Sequence, residues 1–474
     1  MKKLPFIPGS LIILTSLINA ISGPGCANII PPEGGLRDSI PPLLVKASPA
    51  DSSKNFKGNH ITLTFDEFVQ LQNPRENLIV SPVPKVDPQV ESKLKTVTIR
   101  LKDTLEPNTT YSLNFGNAIR DNNEGNIAKN FTYLFSTGPT FDSLTLAGKV
   151  LLAENGKVDT SLVVMLHKNG EDSAVANERP RYLTRLDSLG NFTFRNLPHG
   201  TFYIYALQDE GGSHRYLSEK QLFAFADTSV TIETNKKPVI LYAYAEGKTT
   251  PRSLPKINAK AKTGGGNADK RLKLQTNLTT GQLDLLSDLM ISFEQPWKKL
   301  DTSLIHFTSD TSFTPISNYK ILTDTSKKKF SIQYNWKENS RYNIIAEKDF
   351  AEDTLGRTLL KSDTISFKTK KLSDYGSLRI RFKNFDLSVN PVLQFVQDKN
   401  IVKAFPLTSA EINQRIFPPG EYELRILYDR NKNGKWDPGE FFGKHIQPEI
   451  VKPITSRRKI SVKPNWDNDF DIAL

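Results

Sequence analysis

The chain has 474 residues, a single cysteine and a formal charge of +12, with 38% hydrophobic and 24% charged residues. That length predicts about three domains, two to five being tolerable, and the modest apolar content favours several small cores over one large one. No apolar run reaches about 18 residues, which excludes a polytopic helical membrane protein. One cysteine excludes a disulfide scaffold.

At the N-terminus, Lys2 and Lys3 precede an apolar run at residues 11–21, too short to span a bilayer. Ser22, Gly23 and Gly25 then lead to Cys26, the only cysteine. This resembles a bacterial lipoprotein signal, in which the cysteine after the cleavage point is acylated; Gly23 stands where that family prefers Leu. The resemblance implies a signal peptide over 1–25, lipidation at Cys26 and a lipid-anchored tether over 26–40. It also implies a cell-envelope location, as an outer-membrane lipoprotein of a Gram-negative bacterium on either face of that membrane. Each buried acyl CH₂ contributes about 0.8 kcal/mol, so acyl chains would hold the protein without a transmembrane helix.

Next comes a run of short alternating segments. Ile61, Leu63 and Phe65 alternate with threonines, and Val97, Ile99 and Leu101 alternate with Thr98 and Arg100. This period of two marks half-buried strands. An Asn-Thr-Thr-Tyr stretch ends at Tyr111, an Asp-Asn-Asn-Glu-Gly turn ends at Gly125, and Phe135, Ser136, Thr137 and Gly138 close the unit. These residues resemble the SbsA-type bacterial Ig-like domain, over 41–138. A second copy over 271–371 keeps the spacing: Tyr111 to Gly125 and Tyr342 to Gly356 are both 14 residues apart.

A different unit lies between and after these. Leu197, Pro198 and Gly200 lead into a strand ending at Asp209; Phe417, Pro418 and Gly420 lead into another ending at Asp429, again nine residues past the Gly. The pattern resembles the prealbumin-like, or carboxypeptidase-regulatory-like, β-sandwich, over 140–245 and 375–474. Tyr422, Leu424, Ile426 and Tyr428 fall on one strand face. The expected fold is therefore all-β: tandem Ig-like and prealbumin-like β-sandwiches in an alternating arrangement. Residues 246–270 read as a flexible basic linker. Eight basic residues and one acid lie between 248 and 273, with three consecutive glycines at 264–266. An exported protein does not meet nucleic acid, so none is expected as a partner.

One stretch carries a specific motif. Asp429, Asn431, Asn433, Gly434 and Glu440 fit D-x-[DN]-x-[DN]-G-x₅-E without mismatch. The resemblance to an EF-hand or dockerin loop implies calcium held by Asp429, Asn431, Asn433, the Lys435 carbonyl, Asp437 and Glu440. Strand-like alternation before the loop, and Pro438, Gly439 and Gly443 after it, argue for a loop on a β-hairpin. Arg430, Lys432 and Lys435 oppose the carboxylates, so the affinity expected is about 10⁻⁴–10⁻³ M, a structural range. The matching tip starting at Asp209 lacks the Asn ligands and is expected to bind no ion.

Catalytic patterns are missing. The six histidines form no H-x-H or H-E-x-x-H set, and there is no G-x-S-x-G elbow or P-loop. Asp66 and Glu67 are strand neighbours that point to opposite faces, so they cannot flank a sugar together. The expected function is a non-enzymatic, lipid-anchored envelope protein serving as a binding or spacer module, with the membrane and an envelope protein or glycan as partners. The alternatives are a surface adhesin for glycan or protein and a polysaccharide-acting enzyme. A cleft with two acids and an exposed tryptophan would favour those alternatives.

Overall fold

The computed structural model describes residues 38–473 apart from 210, 234–236, 248–270, 385 and 457–458. The signal peptide, Cys26, most of the tether and nearly all of the basic linker lie outside the described residues. The chain divides into two compact units, Met1–Phe141 and Asp142–Leu474. Among the described residues, the α-helices are two four-residue turns, Pro74–Asn77 and Ala174–Asn177. The fold is all-β, with alternating Ig-like and prealbumin-like sandwiches.

In the first unit, strands Leu44–Ser48, His60–Phe65, Thr96–Arg100 and Gln89–Lys93 form one antiparallel sheet in that order. Ile79–Ser81, Thr110–Asn114 and Thr132–Ser136 form the facing sheet. Alternation has its expected consequence: Ile61, Leu63, Phe65, Val97 and Ile99 are all buried and meet Leu113, Tyr133 and Phe135 in one core.

The second unit repeats this sandwich after an intervening one. Leu274–Thr276, Leu289–Phe293, Lys329–Gln333 and Lys320–Thr323 reproduce the four-stranded order. The repeat extends to individual hydrogen bonds. Tyr111 Oη accepts from Glu106 N at 2.8 Å, and Tyr342 Oη accepts from Lys337 N at 3.2 Å. Thr137 Oγ1 accepts from Thr109 N, and Thr369 Oγ1 accepts from Ser340 N. Each corner thus fixes a loop that would otherwise leave buried backbone donors unpaired. The turn glycines Gly125 and Gly356 both have positive φ, +79° and +73°, where a Cβ would be strained. Asp121 and Asp353, fully buried, hold those turns by accepting from loop N–H groups. Burial raises the proton affinity of both carboxyls, but these hydrogen bonds outweigh it and leave them below the usual carboxylate range.

The two other sandwiches share one topology. In the earlier, Leu144–Leu152 lies between Asn191–Leu197 and Val239–Ala243, pairing with the latter in parallel. Its facing sheet runs Tyr182–Arg185, Leu162–His167, Gly200–Gln208, Phe223–Phe225, with Val230–Ile232 also on Gly200–Gln208. In the later, Gly376–Lys383 lies between Glu411–Phe417 and Asp467–Ala473, again parallel to the last. Its facing sheet runs Asn400–Pro406, Pro391–Gln397, Gly420–Tyr428, Ile450–Pro453, with Lys459–Val462 also on Gly420–Tyr428. Gly200–Gln208 and Gly420–Tyr428 have the same residue-by-residue burial pattern. Each is an inner strand of its sheet and is followed by the aspartate that opens the tip.

Candidate functional site

Asp429 follows strand Gly420–Tyr428 and is 2% exposed. Its Oδ1 accepts from Lys432 N at 2.7 Å and Asn433 N at 3.3 Å, and its Oδ2 accepts from Gly434 N at 2.7 Å. The turn is possible because Gly434 adopts φ +74°. Asn431 and Asn433 both donate to Asp437 Oδ2, at 2.7 and 2.6 Å. Lys435 N donates to Asn433 Oδ1 at 2.7 Å. Asp429, Asn431, Asn433 and Asp437 are thus drawn around one short loop.

Glu440 is not among them. Its backbone pairs with Ile446, donating to and accepting from it at 2.8 Å, and its carboxylate lies 2.8 Å from Lys444 Nζ. The carboxylate over the loop is Glu449, which is 2% exposed. Glu449 Oε1 accepts from Arg430 N at 2.7 Å, and Oε2 accepts from Asp437 N at 3.1 Å. Trp436 Nε1 donates to the Glu449 carbonyl at 2.7 Å. Burial raises the Glu449 carboxyl above its ordinary range; loop N–H groups oppose this, and the charges of Asp429 and Asp437 add to it. The twelfth position of the motif supplies a ligand when a helix exits the loop. Here Pro438 and Gly439 start a hairpin, and the next strand brings in Glu449. Glu449 just ahead of Ile450–Pro453 was the available signal. Among the described residues, no three His, Cys, Asp or Glu side chains form a metal cluster by themselves. The loop's oxygens come as much from asparagine amides as from carboxylates.

The earlier tip resolves the same aspartate differently. Asp209 Oδ2 lies 2.5 Å from His214 Nδ1, and Asp209 Oδ1 accepts from His214 N at 3.0 Å. Burial would raise this carboxyl, but its bonds to His214 bring it below the usual range.

The later tip also reaches across to the earlier sandwich within the second unit. Its hairpin closes through the Glu440–Ile446 pair and projects Phe441, which is 1% exposed. The Phe441 ring meets Phe223 and Phe225 at 5.0 Å and Tyr205 at 5.8 Å between centroids. Phe442 stacks on Tyr216 at 5.7 Å. Phe441 N donates to Glu246 Oε1 at 3.0 Å, and Gly443 N donates to Asp172 Oδ2 at 3.1 Å. His445 Nε2 lies 2.6 Å from Asp172 Oδ1, and Gln447 Nε2 donates to the Phe225 carbonyl at 3.0 Å. Val451 N donates to the Ala153 carbonyl at 2.8 Å. Sandwiches separated by a whole Ig-like repeat are therefore clasped together.

Asp66 and three of the four tryptophans have structural surroundings. Asp66 Oδ1 accepts from Leu43 N at 2.9 Å. Trp297 is buried, Trp336 packs on Tyr342 and Phe367, and Trp466 is 63% exposed beneath Lys463. Among the described residues, no helix is long and apolar enough to cross a membrane.

Residues 38–137 match the bacterial Ig-like domain family. No curated protein matches the chain. Among solved structures, the chain is similar to the Bacillus anthracis TIE protein at 11% identity, over 99% of this chain and 79% of that one, with TM-score 0.17. It is similar to the N-terminal part of the bacterial S-layer protein SbsC at 16% identity, over 43% and 44%, with TM-score 0.16. The L,D-transpeptidase from Mycobacterium smegmatis is similar at 14% identity, over 35% and 60%, with TM-score 0.15. The chain spans less than two thirds of the last two. At these scores none of the three bears on what this chain does.

Proposed function

We propose that the protein is a lipid-anchored envelope module that works without catalysis, binding or spacing components at the outer membrane. The observation that carries this reading is the clasp. Phe441 and its hairpin join two sandwiches far apart in sequence, so the second unit acts as one stiff body and not as beads on a string. A bacterial Ig-like domain precedes it, and Cys26 precedes that. The acylated cysteine is the anchor in this reading. Replacing it, Cys26→Ala, moves the protein from the membrane fraction to the soluble fraction after a high-salt wash and abolishes incorporation of labelled palmitate. Retention of Cys26→Ala in washed membranes overturns the anchor. The salt wash removes any electrostatic adhesion of the basic stretch near residues 248–273 to anionic headgroups.

The loop at 429–437 is part of the same proposal, as a structural calcium site. Asp429, Asp437 and Glu449, which as folded form no three-carboxylate cluster, would draw together to supply carboxylates; Asn431 and Asn433 would supply amide oxygens after rotation of their amides, together with the Lys435 carbonyl. What supports it is the placement of Asp429, Asp437 and Glu449 around one loop, with Glu449 accepting from Arg430 N and Asp437 N; burial, then the two aspartate charges, raise the Glu449 carboxyl. A divalent cation relieves that repulsion. Glu440 is replaced by Glu449 in this ligand set.

A further inference from the structure

The clasp leaves a cleft of about 500 Å³ between the two prealbumin-like sandwiches of the second unit, a size within the ordinary range for small-ligand sites. Ile240 and Tyr242 form one wall. They alternate with the buried Leu241 and Ala243 on strand Val239–Ala243, so they point away from their own core, and Ile240 is left 56% exposed. Tyr428 and Arg430, from the later sandwich, form the other. Asp227 and Gln447 close one end: Gln447 Nε2 donates to Asp227 Oδ1 at 2.8 Å. Arg430 is held by the Gln447 carbonyl, to which its guanidinium donates. Two phenol rings and one aliphatic side chain are thus framed by a carboxylate, an amide and a guanidinium, each already oriented by a protein partner.

We infer that this cleft binds a neutral oligosaccharide. A pyranose ring presents an apolar C–H face to aromatic side chains and a belt of hydroxyls to planar polar groups. Asp227, Gln447 and Arg430 can accept from and donate to neighbouring hydroxyls together. Opposite charges are both present, so the cleft has no strong preference for a polyanion or a polycation. A peptide adding as a strand needs free backbone groups, and here the Phe225 carbonyl is taken by Gln447 while Pro448 has no N–H to offer. The inference deepens the binding side of the proposed function and does not depend on the lipid anchor. The site lies between sandwiches that hairpin 438–448 and the Val451–Ala153 hydrogen bond hold together.

The test uses the full-length chain in a detergent without a sugar headgroup. Maltohexaose, cellohexaose, xylohexaose and chitohexaose are the probes, read by saturation-transfer NMR and isothermal titration. Saturable binding of at least one is expected. Tyr242→Ala and, separately, Asp227→Ala each weaken it about tenfold or more, while Tyr242→Phe retains it. Both substituted side chains lie on the surface of the cleft, and unchanged near-ultraviolet circular dichroism verifies folding. Trp466→Ala removes the exposed tryptophan outside the cleft and leaves binding unchanged. Absence of saturable binding to all four at millimolar concentration overturns the inference. So does binding that survives Tyr242→Ala and Asp227→Ala, which places the sugar elsewhere. Neither result touches the Cys26 fractionation experiment, so failure of the cleft and failure of the anchor remain separate.

Discussion

The tips that follow Asp209 and Asp429 grow from the same position of the same strand, yet they settle their buried carboxylate in opposite ways. In the first, the chain provides its own side-chain partner, the His214 imidazole, at 2.5 Å. In the second, Asp429 is committed to three backbone amides, and Asp437 and Glu449 gather beside it with no side-chain cation in the hydrogen-bonding shell described above. The first tip is complete as folded. The second gathers buried carboxylates that are met mainly by backbone N–H groups, and it is also the one that carries the clasp. Equivalent strand ends thus carry one tip whose carboxylate is met by an imidazole and one whose carboxylates are met by backbone amides.

The largest effect should come from the residue that joins the tips. Phe441→Ala empties a fully buried aromatic position, at a cost of about 3–5 kcal/mol. Its effect is localised: hydrogen exchange accelerates in 438–448 and in Phe223–Phe225, where the clasp lands, and the core of the first unit stays protected. Unchanged exchange at Phe223–Phe225 would mean that the sandwiches do not depend on this contact.

Next in size are the aspartates themselves. Asp429→Ala leaves three loop donors without their acceptor and should cost about 2–3 kcal/mol, against about 1–2 kcal/mol for Asp209→Ala, whose side chain serves the His214 ring and N–H and, at 3.4 Å, the Ser213 hydroxyl. Local opening energies from native-state hydrogen exchange give both values in one molecule. Equal losses would erase the distinction between the tips.

A smaller effect separates them by pH. Glu449 binds its proton more tightly folded than unfolded, so its ionisation costs stability above its folded pKa. That cost fades as pH falls through the raised value toward the ordinary 4.5. Asp209 has the opposite sign. It contributes stability above its ordinary 3.8, and this is lost only as pH falls below that value through the lowered folded one. In calcium-free buffer, acidification from pH 7 to 5 should therefore steady the 429–449 segment slightly. Loss of protection in 429–449 over that range would contradict the assigned sign.

The sequence carried the architecture well and the geometry of the 429–449 loop only in part. Alternation at Ile61, Leu63 and Phe65, and the matched spacing of Tyr111–Gly125 and Tyr342–Gly356, were legible because strands and turns are local. Asp429 and the asparagines were legible for the same reason. Glu449 was not, because the motif that pointed to Glu440 assumes a helix after the loop, and Pro438 diverts the chain into a hairpin before returning it. The clasp was also hidden. Phe441 and Phe442 look like ordinary loop residues, and their partners Tyr205, Phe223 and Phe225 lie some two hundred positions earlier, on the outer face of a sheet whose inner face already accounts for a core.

The difference between the tips is tested most directly by hydrogen exchange on the full-length chain, with and without millimolar calcium, for wild type, Glu449→Gln and Glu440→Gln. A ligand bound only by the folded loop stabilises it by RT ln(1 + [L]/Kd), about 1.4 kcal/mol at ten times Kd. Wild type and Glu440→Gln should gain that protection across 429–449 and none across 209–223, and Glu449→Gln should gain none. A wild-type loop indifferent to calcium, or a response that vanishes with Glu440→Gln and survives Glu449→Gln, would contradict the account.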